Sequence, residues 1–431
     1  MKNIKLPKNP FLLFLPFLVP FVLYVIYYPT DGVSADQGRY MGFAHNLVNG
    51  FYSPPAPDID LTNGPGYPLF LAPFVGMNFP LITLTLMNAL FYYLSIVFLF
   101  KSLLFVVNDK FARFFSLFWA LYYMGYQSIP FIHTETFTYL LVSLSIFTTL
   151  KAFDAEKGKQ EWKYLVLSGL LIGYLALTKM IFGYVLFVLL LGYALIWLFR
   201  LKSVSSRKIT LIISFSLITT LPYLFYTYHL TGRLYYWGMG NDALYWMSSP
   251  YHDEYGDWKK DLEMNPDIAS NYNIQGSDSI LKLHHQKDFE LLKNLKGIER
   301  DDEFKRLAIN NIKAYPLHYA ENIVYNAGRL VFQYPFSHAV QRPKILLVFP
   351  INGILFTLIL FCIFPTLFNW KKIPAPVRFL LLIVIIYLGG SLMVSTYARM
   401  FTIIVPVLLL WIAFILQHSI SVHLKFGDRD D

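Results

Sequence analysis

A single cysteine, Cys362, stands in the chain, so no intrachain disulfide can form, and its apolar surroundings say nothing of redox compartment. Charge is scarce as well. Asp, Glu, Lys and Arg supply 15% of the residues, against about a quarter in soluble domains, which excludes an ordinary water-soluble globule. There is no fixed-period repeat and no low-complexity tract, which sets aside solenoids and linker-like chains. What fills the space is apolar: hydrophobic residues reach 56% and aromatics 18%, the latter in keeping with Tyr and Trp belts at membrane interfaces. The net charge of +9 does not point to nucleic acid, because most of the short basic clusters fall between apolar runs, where they act as topology signals.

Apolar runs of membrane-crossing length, roughly 17 to 25 residues, recur from Pro10 to Gln417 and predict an all-α polytopic membrane protein. About ten spans are expected, near 10–28, 81–107, 112–128, 131–150, 164–178, 180–199, 209–229, 345–369, 378–396 and 399–417. The first run is too long for a signal peptide and lacks a small-residue cleavage site, so it is expected to be retained, with Pro16 and Pro20 tolerated inside it. With Lys2, Lys5 and Lys8 in the cytoplasm, alternation also places there Lys110 and Arg113; Lys151, Lys157, Lys159 and Lys163; Arg200, Lys202, Arg207 and Lys208; and Lys371, Lys372 and Arg378. The chain then divides into an N-terminal bundle, 1–229, that includes a first outer loop, 29–80; an outer cap, 230–344; and C-terminal helices with a cytoplasmic tail, 345–431.

The outer segments carry surface helices. Ser34 and Gln37 have capping-box spacing, Tyr40, Phe43, Ala44, Leu47 and Val48 form an apolar stripe, and Gly50 offers a stop, so a membrane-surface helix is predicted over 35–49. A Pro-rich turn, SPPAPDID, leads to GPGYPLFLAPF, which is too short to cross. In the cap, DDEFKRLAINNIKAYP reads as a helix burying Phe304, Leu307, Ala308 and Ile312, stopped by Pro316. Tyr235, Tyr236, Trp237, Tyr245 and Trp246 are expected to anchor the cap in the interface, with stacking on sugar rings as the alternative.

Asp36 falls in the first turn of the surface helix, where the helix dipole alone favours a carboxylate by about 0.3–1 kcal/mol. That does not explain why Arg39, His133, Glu135, Lys179 and Arg399 share its membrane face. Lys179 and Arg399 in outer turns could snorkel to lipid headgroups, yet ionisable residues embedded at span ends are functional candidates by default. Together the six describe a polar cavity beneath the cap. A carboxylate in a partly dry cavity can take a proton from a hydroxyl, while Arg and Lys can hold a departing phosphate, which suggests group transfer from a lipid phosphate. No motif names a cofactor. A divalent metal is compatible with His133 and Glu135, which point apart at their spacing, or with His284 and His285, expected on a solvated helix face.

One set of residues in order resembles the GT-C membrane glycosyltransferases, the superfamily of protein O-mannosyltransferases (glycosyltransferase family 39) and the lipid A aminoarabinose transferase. It comprises Asp36, Tyr40, Ala44, Asn46, Leu47 and Gly50; GPGYPLFL from Gly64; Thr134 and Glu135; LTK ending at Lys179; and YARMFTIIVPVLLL from Tyr397. The resemblance implies an extracytoplasmic site, a polyprenyl-phosphate-linked sugar donor, an acceptor that is a lipid, glycan or protein, and inversion at the anomeric carbon. It also implies that Asp36 is the catalytic base, that Glu135 is a second catalytic acid, and that Arg399, with Lys179 or Arg39, binds the donor phosphate. Tyr40, Tyr67 and His133 are further candidate substrate contacts. Two departures stand out: Gln37 replaces the second acid of an Asp-Glu pair, and only Pro406 is in place from the late proline pattern. A lipid-linked glycan ligase or polymerase is the nearest alternative. A transporter or flippase is disfavoured, because it would hold its ionisable groups near the bilayer midplane.

Overall fold

The computed structural model describes residues 9–30, 32–33, 35–199, 203–236, 238, 240–259, 276–339, 341, 343 and 345–419. Every regular element among them is helical. In chain order they are α1 (Pro10–Tyr27), α2 (Ala35–Val48), α3 (Gly66–Gly76), α4 (Leu81–Leu103), α5 (Asp109–Ala120), α6 (Tyr123–Tyr126), α7 (Thr134–Asp154), α8 (Lys159–Thr178) and α9 (Ile181–Leu198). There follow α10 (Val204–Thr231), α11 (Asn241–Met247), α12 (Ser277–Leu292), α13 (Gly297–Ala314), α14 (Pro316–Phe332), α15 (Ile345–Phe368), α16 (Ala375–Leu392), α17 (Ala398–Thr402) and α18 (Val405–Ser419).

By length and composition α1, α4, α7, α10, α15 and α16 can each cross a membrane, while α3, most of α9 and α18 are apolar but shorter. The protein is a multi-pass helical membrane protein. Two expected spans are broken. The third stops at Ala120 and resumes as the single turn α6, and the Tyr92 hydroxyl donates 2.6 Å to the Trp119 carbonyl near that stop. The last divides into α17 and α18, because Pro406 has no N–H to continue the ladder.

At the centre lies α7, packed by α4, α8, α16 and α18 and buried at every residue from Thr134 to Ser143. Small hydroxyl residues let it approach its neighbours, as where Thr149 and Ser168 share a hydrogen bond of 2.6 Å. Its start is fixed from two sides. Asn88 of α4 donates to the carbonyls of Ile129 (3.2 Å) and Phe131 (2.7 Å) and accepts from the Thr136 hydroxyl (2.8 Å). The Gln37 side chain accepts from the Ile132 amide at 3.0 Å. Gln37 is thus turned away from the capping-box role expected of it, and Ser34 lies outside the described residues. The helix nonetheless begins at Ala35 and ends as expected, with Gly50 at φ +89°.

The GPG stretch has a steric reason. A Cβ on Gly64 would stand 2.1 Å from the Leu177 carbonyl oxygen, and one on Gly66 2.4 Å from Thr178 Oγ1. Only glycine lets the first outer loop lie against the α8–α9 turn that carries Lys179.

The cap has its own small core of Tyr245, Trp246, Leu281, Phe289, Leu292, Phe304, Leu307 and Ala308. Tyr245 and Trp246 are buried there and so are not interfacial anchors, because the cap needs large apolar groups to fold, whereas Tyr235 and Tyr236 are half-buried beside Tyr223 of α10. Trp237 lies outside the described residues. Phe304, Leu307 and Ala308 face inward as expected, Ile312 is half-buried, and Pro316 ends one helix by opening the next, α14, at its first position. From the cap, α14 packs on α15, α16 and α17.

Gly64→Ala should lower stability by about 1–3 kcal/mol by forcing the two loops apart. A drop in thermal midpoint in detergent is expected, and an unchanged midpoint would contradict the close approach.

Candidate active site

The loops at one end of the bundle, where α8 and α16 end and α7 and α9 begin, enclose a cavity of about 340 Å³. Asp36, Arg39 and Tyr40 of α2 and Thr62–Gly64 form one wall. Thr178–Ile181 form another, and the Val394–Tyr397 loop with Arg399 a third. Asp242, Ala243 and Trp258 of the cap close it.

The six ionisable residues predicted to share this face are brought together, and Tyr67, named as a further candidate substrate contact, is core. Arg399 Nη2 lies 2.7 Å from Asp36 Oδ2, and its Nε lies 3.9 Å from Glu135 Oε1. Lys179 Nζ donates to Glu135 Oε1 at 3.1 Å, and Arg39 pairs with the other oxygen of Asp36. Lys179 and Arg399 are therefore turned inward to carboxylates, away from the headgroup contacts that snorkelling would give. Glu135 is buried, and its Oε2 has no hydrogen-bond partner among the described residues. Tyr40 is buried and lines the cavity. Tyr67 meets Tyr40 edge-on at 5.4 Å and packs on Phe70 and Phe137, outside the cavity lining. His133 immediately precedes α7 with its ring stacked on Phe131 at 5.6 Å.

Electrostatics set the character of the site. Burial alone would raise the Asp36 carboxyl, but Arg399 and Arg39 more than reverse this and hold it below its usual value. The Arg399 guanidinium is raised: burial opposes its charge, and Glu135 and Asp36 outweigh burial. Burial lowers the His133 imidazole. The cavity lining holds the carboxylates Asp36 and Asp242 and the cations Arg39, Lys179 and Arg399, with Glu135 buried beside them, so the charges balance and an anion must compete with carboxylates for the cations.

Asp36 and Glu135 already hold cations, and among the described residues no trio of donor atoms within 4.8 Å of one another includes Asp36, Glu135 or His133. The groups of that kind, able to hold a divalent metal, lie in the cap. His284 and His285 are not on a solvated face: His285 is buried, and both contact Glu254, whose paired charge keeps them inside.

Sequence reasoning missed Asp242 and Trp258. Trp258 Nε1 donates to Asp242 Oδ2 at 2.9 Å, and the Trp258 amide donates to Ser395 Oγ at 2.6 Å, so the cap is tied to the loop bearing Arg399. The acid opening NDALYW is the same helix-start signal that singled out Asp36. Asn326 of α14 was missed too, and no local signal marks it. Its amide group donates to the carbonyls of Ser391, Leu392 and Val394, and its oxygen accepts from the Thr396 amide and hydroxyl. Fully buried, it fixes the backbone just before Arg399.

Residues 63–226 match the family model described as dolichyl-phosphate-mannose-protein mannosyltransferase. Among solved structures the chain is similar to an oligosaccharyltransferase from Archaeoglobus fulgidus, tethered with an acceptor peptide containing the NVT sequon. The identity is 16% and the TM-score 0.52, covering 94% of this chain and 49% of that one. It is also similar to ArnT from Cupriavidus metallidurans in the apo state, at 13% identity and a TM-score of 0.39, covering 93% of this chain and 77% of that one. No curated protein matches. The chain spans about half the length of the oligosaccharyltransferase whose fold it shares. The resemblance read from the sequence is met by the family model and by the fold.

Asn326→Ala should leave the Thr396 amide and several carbonyls unpaired and cost about 1–3 kcal/mol. Faster hydrogen exchange confined to residues 391–400 is the expected reading, and protection equal to the wild type would contradict the anchoring role.

Proposed function

We propose that this membrane protein of GT-C fold is a glycosyltransferase that moves a hexosyl or pentosyl group from a polyprenyl-monophosphate donor to an acceptor hydroxyl, with inversion. The observation that carries the reading is Arg399 standing between Asp36 and Glu135 at the base of the cavity. In the absence of donor the guanidinium neutralises the base. A donor phosphate competes for Arg399, and Asp36 is then released to accept the proton from the attacking hydroxyl. The acceptor oxygen bonds to the anomeric carbon as the bond from that carbon to the phosphate oxygen breaks. The sugar is thereby inverted, and the polyprenyl phosphate leaves with its new charge on Arg399, supported by Lys179 or Arg39. Glu135 holds Lys179 and Arg399 in place.

Membrane sidedness supports an extracytoplasmic site. The basic residues near Lys110, Lys151, Arg207 and Lys371 lie at the helix ends opposite the cavity, and the positive-inside bias supports an outward-facing cavity. The acceptor is a lipid, glycan or protein hydroxyl.

Radiolabelled polyprenyl-monophosphate sugars supplied to the purified protein should yield transferred label. Asp36→Asn should reduce turnover by about 10²–10⁴-fold, as loss of a general base does. Full turnover in that variant would remove the base assignment. Arg399→Ala should raise the donor Kd at least tenfold, and an unchanged donor affinity would remove Arg399 from the phosphate site. If no polyprenyl-monophosphate sugar is used but a lipid-diphosphate glycan is, the ligase alternative replaces this reading.

A further inference from the structure

The cap contains a second polar centre, none of whose residues lines the Asp36 cavity. Asp253 and Glu254 lie on the loop after α11, His284 on α12 and His338 beyond α14, so stretches far apart in sequence converge. Asp253, Glu254 and His338 offer donor atoms within 4.8 Å of one another, as do Glu254, His284 and His285. His338 Nε2 lies 3.4 Å from Asp253 Oδ2. His284 Nδ1 lies 2.8 Å from Glu254 Oε1 and 4.0 Å from Asp253 Oδ1. Donor atoms around a tetrahedral zinc ion with bonds of about 2.0–2.1 Å stand about 3.3–3.4 Å apart, and these spacings bracket that value.

An independent observation points to a ligand. The His338 side chain is only 10% exposed, and its Nε2 is buried without a hydrogen-bond partner among the described residues, facing this cluster. A buried ring nitrogen whose one polar neighbour, Asp253 Oδ2, forms no aligned hydrogen bond is costly unless something is meant to meet it. The surroundings are built as an outer shell. Glu254 Oε2 accepts from Ser249 Oγ at 2.7 Å and meets His285 Nε2 at 2.9 Å. His285 Nδ1 in turn meets the Tyr245 hydroxyl at 2.6 Å, and the Tyr251 ring stacks on His284 at 3.7 Å. Such partners orient metal ligands and fix imidazole tautomers.

We propose that Asp253, Glu254, His284 and His338 form a structural site for a divalent transition metal of the zinc type. Two imidazoles with two carboxylates suit zinc better than the hard cations, which prefer oxygen throughout. Four protein ligands close the coordination sphere, so the role is structural. Asp253 is half-exposed and gives the ion its route in from solvent. The bound ion clamps the loop that leads to Trp258, the roof of the cavity, against α12 and the segment after α14.

The test uses purified full-length protein, stripped with a chelator and then titrated with Zn²⁺, or with Co²⁺ as an absorbing substitute. The wild type should take up one ion per chain, with the visible absorption of tetrahedral Co²⁺. His338→Ala should abolish uptake, and His285→Gln, an outer partner, should weaken it by about 10–100-fold. His338→Cys should retain Co²⁺ and add a thiolate charge-transfer band, which separates ligation from loss of fold. Asp36→Asn should bind as the wild type does, whatever becomes of transferase activity. No uptake by the wild type overturns the site, as does uptake indifferent to His338→Ala or lost in Asp36→Asn, or a His338→Cys protein that lacks the new band.

Discussion

One guanidinium between two carboxylates organises the rest of the molecule. Arg399 reaches Asp36, early in the chain, and Glu135 at the start of the central helix, and so joins three elements that sequence separates widely. In a partly dry cavity such an arrangement holds only if its charges are nearly balanced and their carriers are rigidly placed. The balance comes from Lys179 and Arg39. The rigidity comes from buried amides: Asn88 and Gln37 hold the segment leading into α7, and Asn326 holds the loop leading into α17. Most hydrogen bonds of these side chains run to backbone groups, so they constrain geometry.

The same arrangement explains why the protein has a cap. The balanced charges act on one another and on an incoming anion over short range, and in open water they would be screened within about 10 Å at ordinary ionic strength. Trp258, Asp242 and Ala243 cover part of the cavity, and hydrogen bonds tie this roof to the Val394–Tyr397 loop, which narrows solvent access to the charged residues. Dynamics and chemistry meet at that seam: the loop bearing Arg399 is held from above by the cap and from the side by Asn326.

Much of this was legible in the sequence, and the reasons differ by residue. Spans with continuous apolar runs were read correctly because hydrophobic length is a one-dimensional signal. Asp36 was legible because a helix-start acid beside a membrane span is unusual, and Glu135, Lys179 and Arg399 because alternation of spans assigns each to one face. The ends of the third and last spans were not legible, since a helix stop depends on partners such as Tyr92 that arrive from elsewhere in the fold. Tyr67 looked like a substrate contact by its place in GPGYPLFL, yet its ring is consumed in packing Tyr40 against α7. Asn326, and the pairing of His284 and His285 with Glu254, were invisible because their meaning lies in long-range contacts, over 60 residues or more in the case of Asn326 and 30 in that of Glu254.

The central claim is that donor phosphate and Asp36 compete for the same guanidinium. The most direct measurement is a cryo-electron microscopy structure of the protein with a polyprenyl phosphate bound. The account expects the phosphate within hydrogen-bond reach of Arg399 and the contact between Arg399 and Asp36 lengthened or broken. A phosphate seated elsewhere, with the pair still 2.7 Å apart, would contradict it.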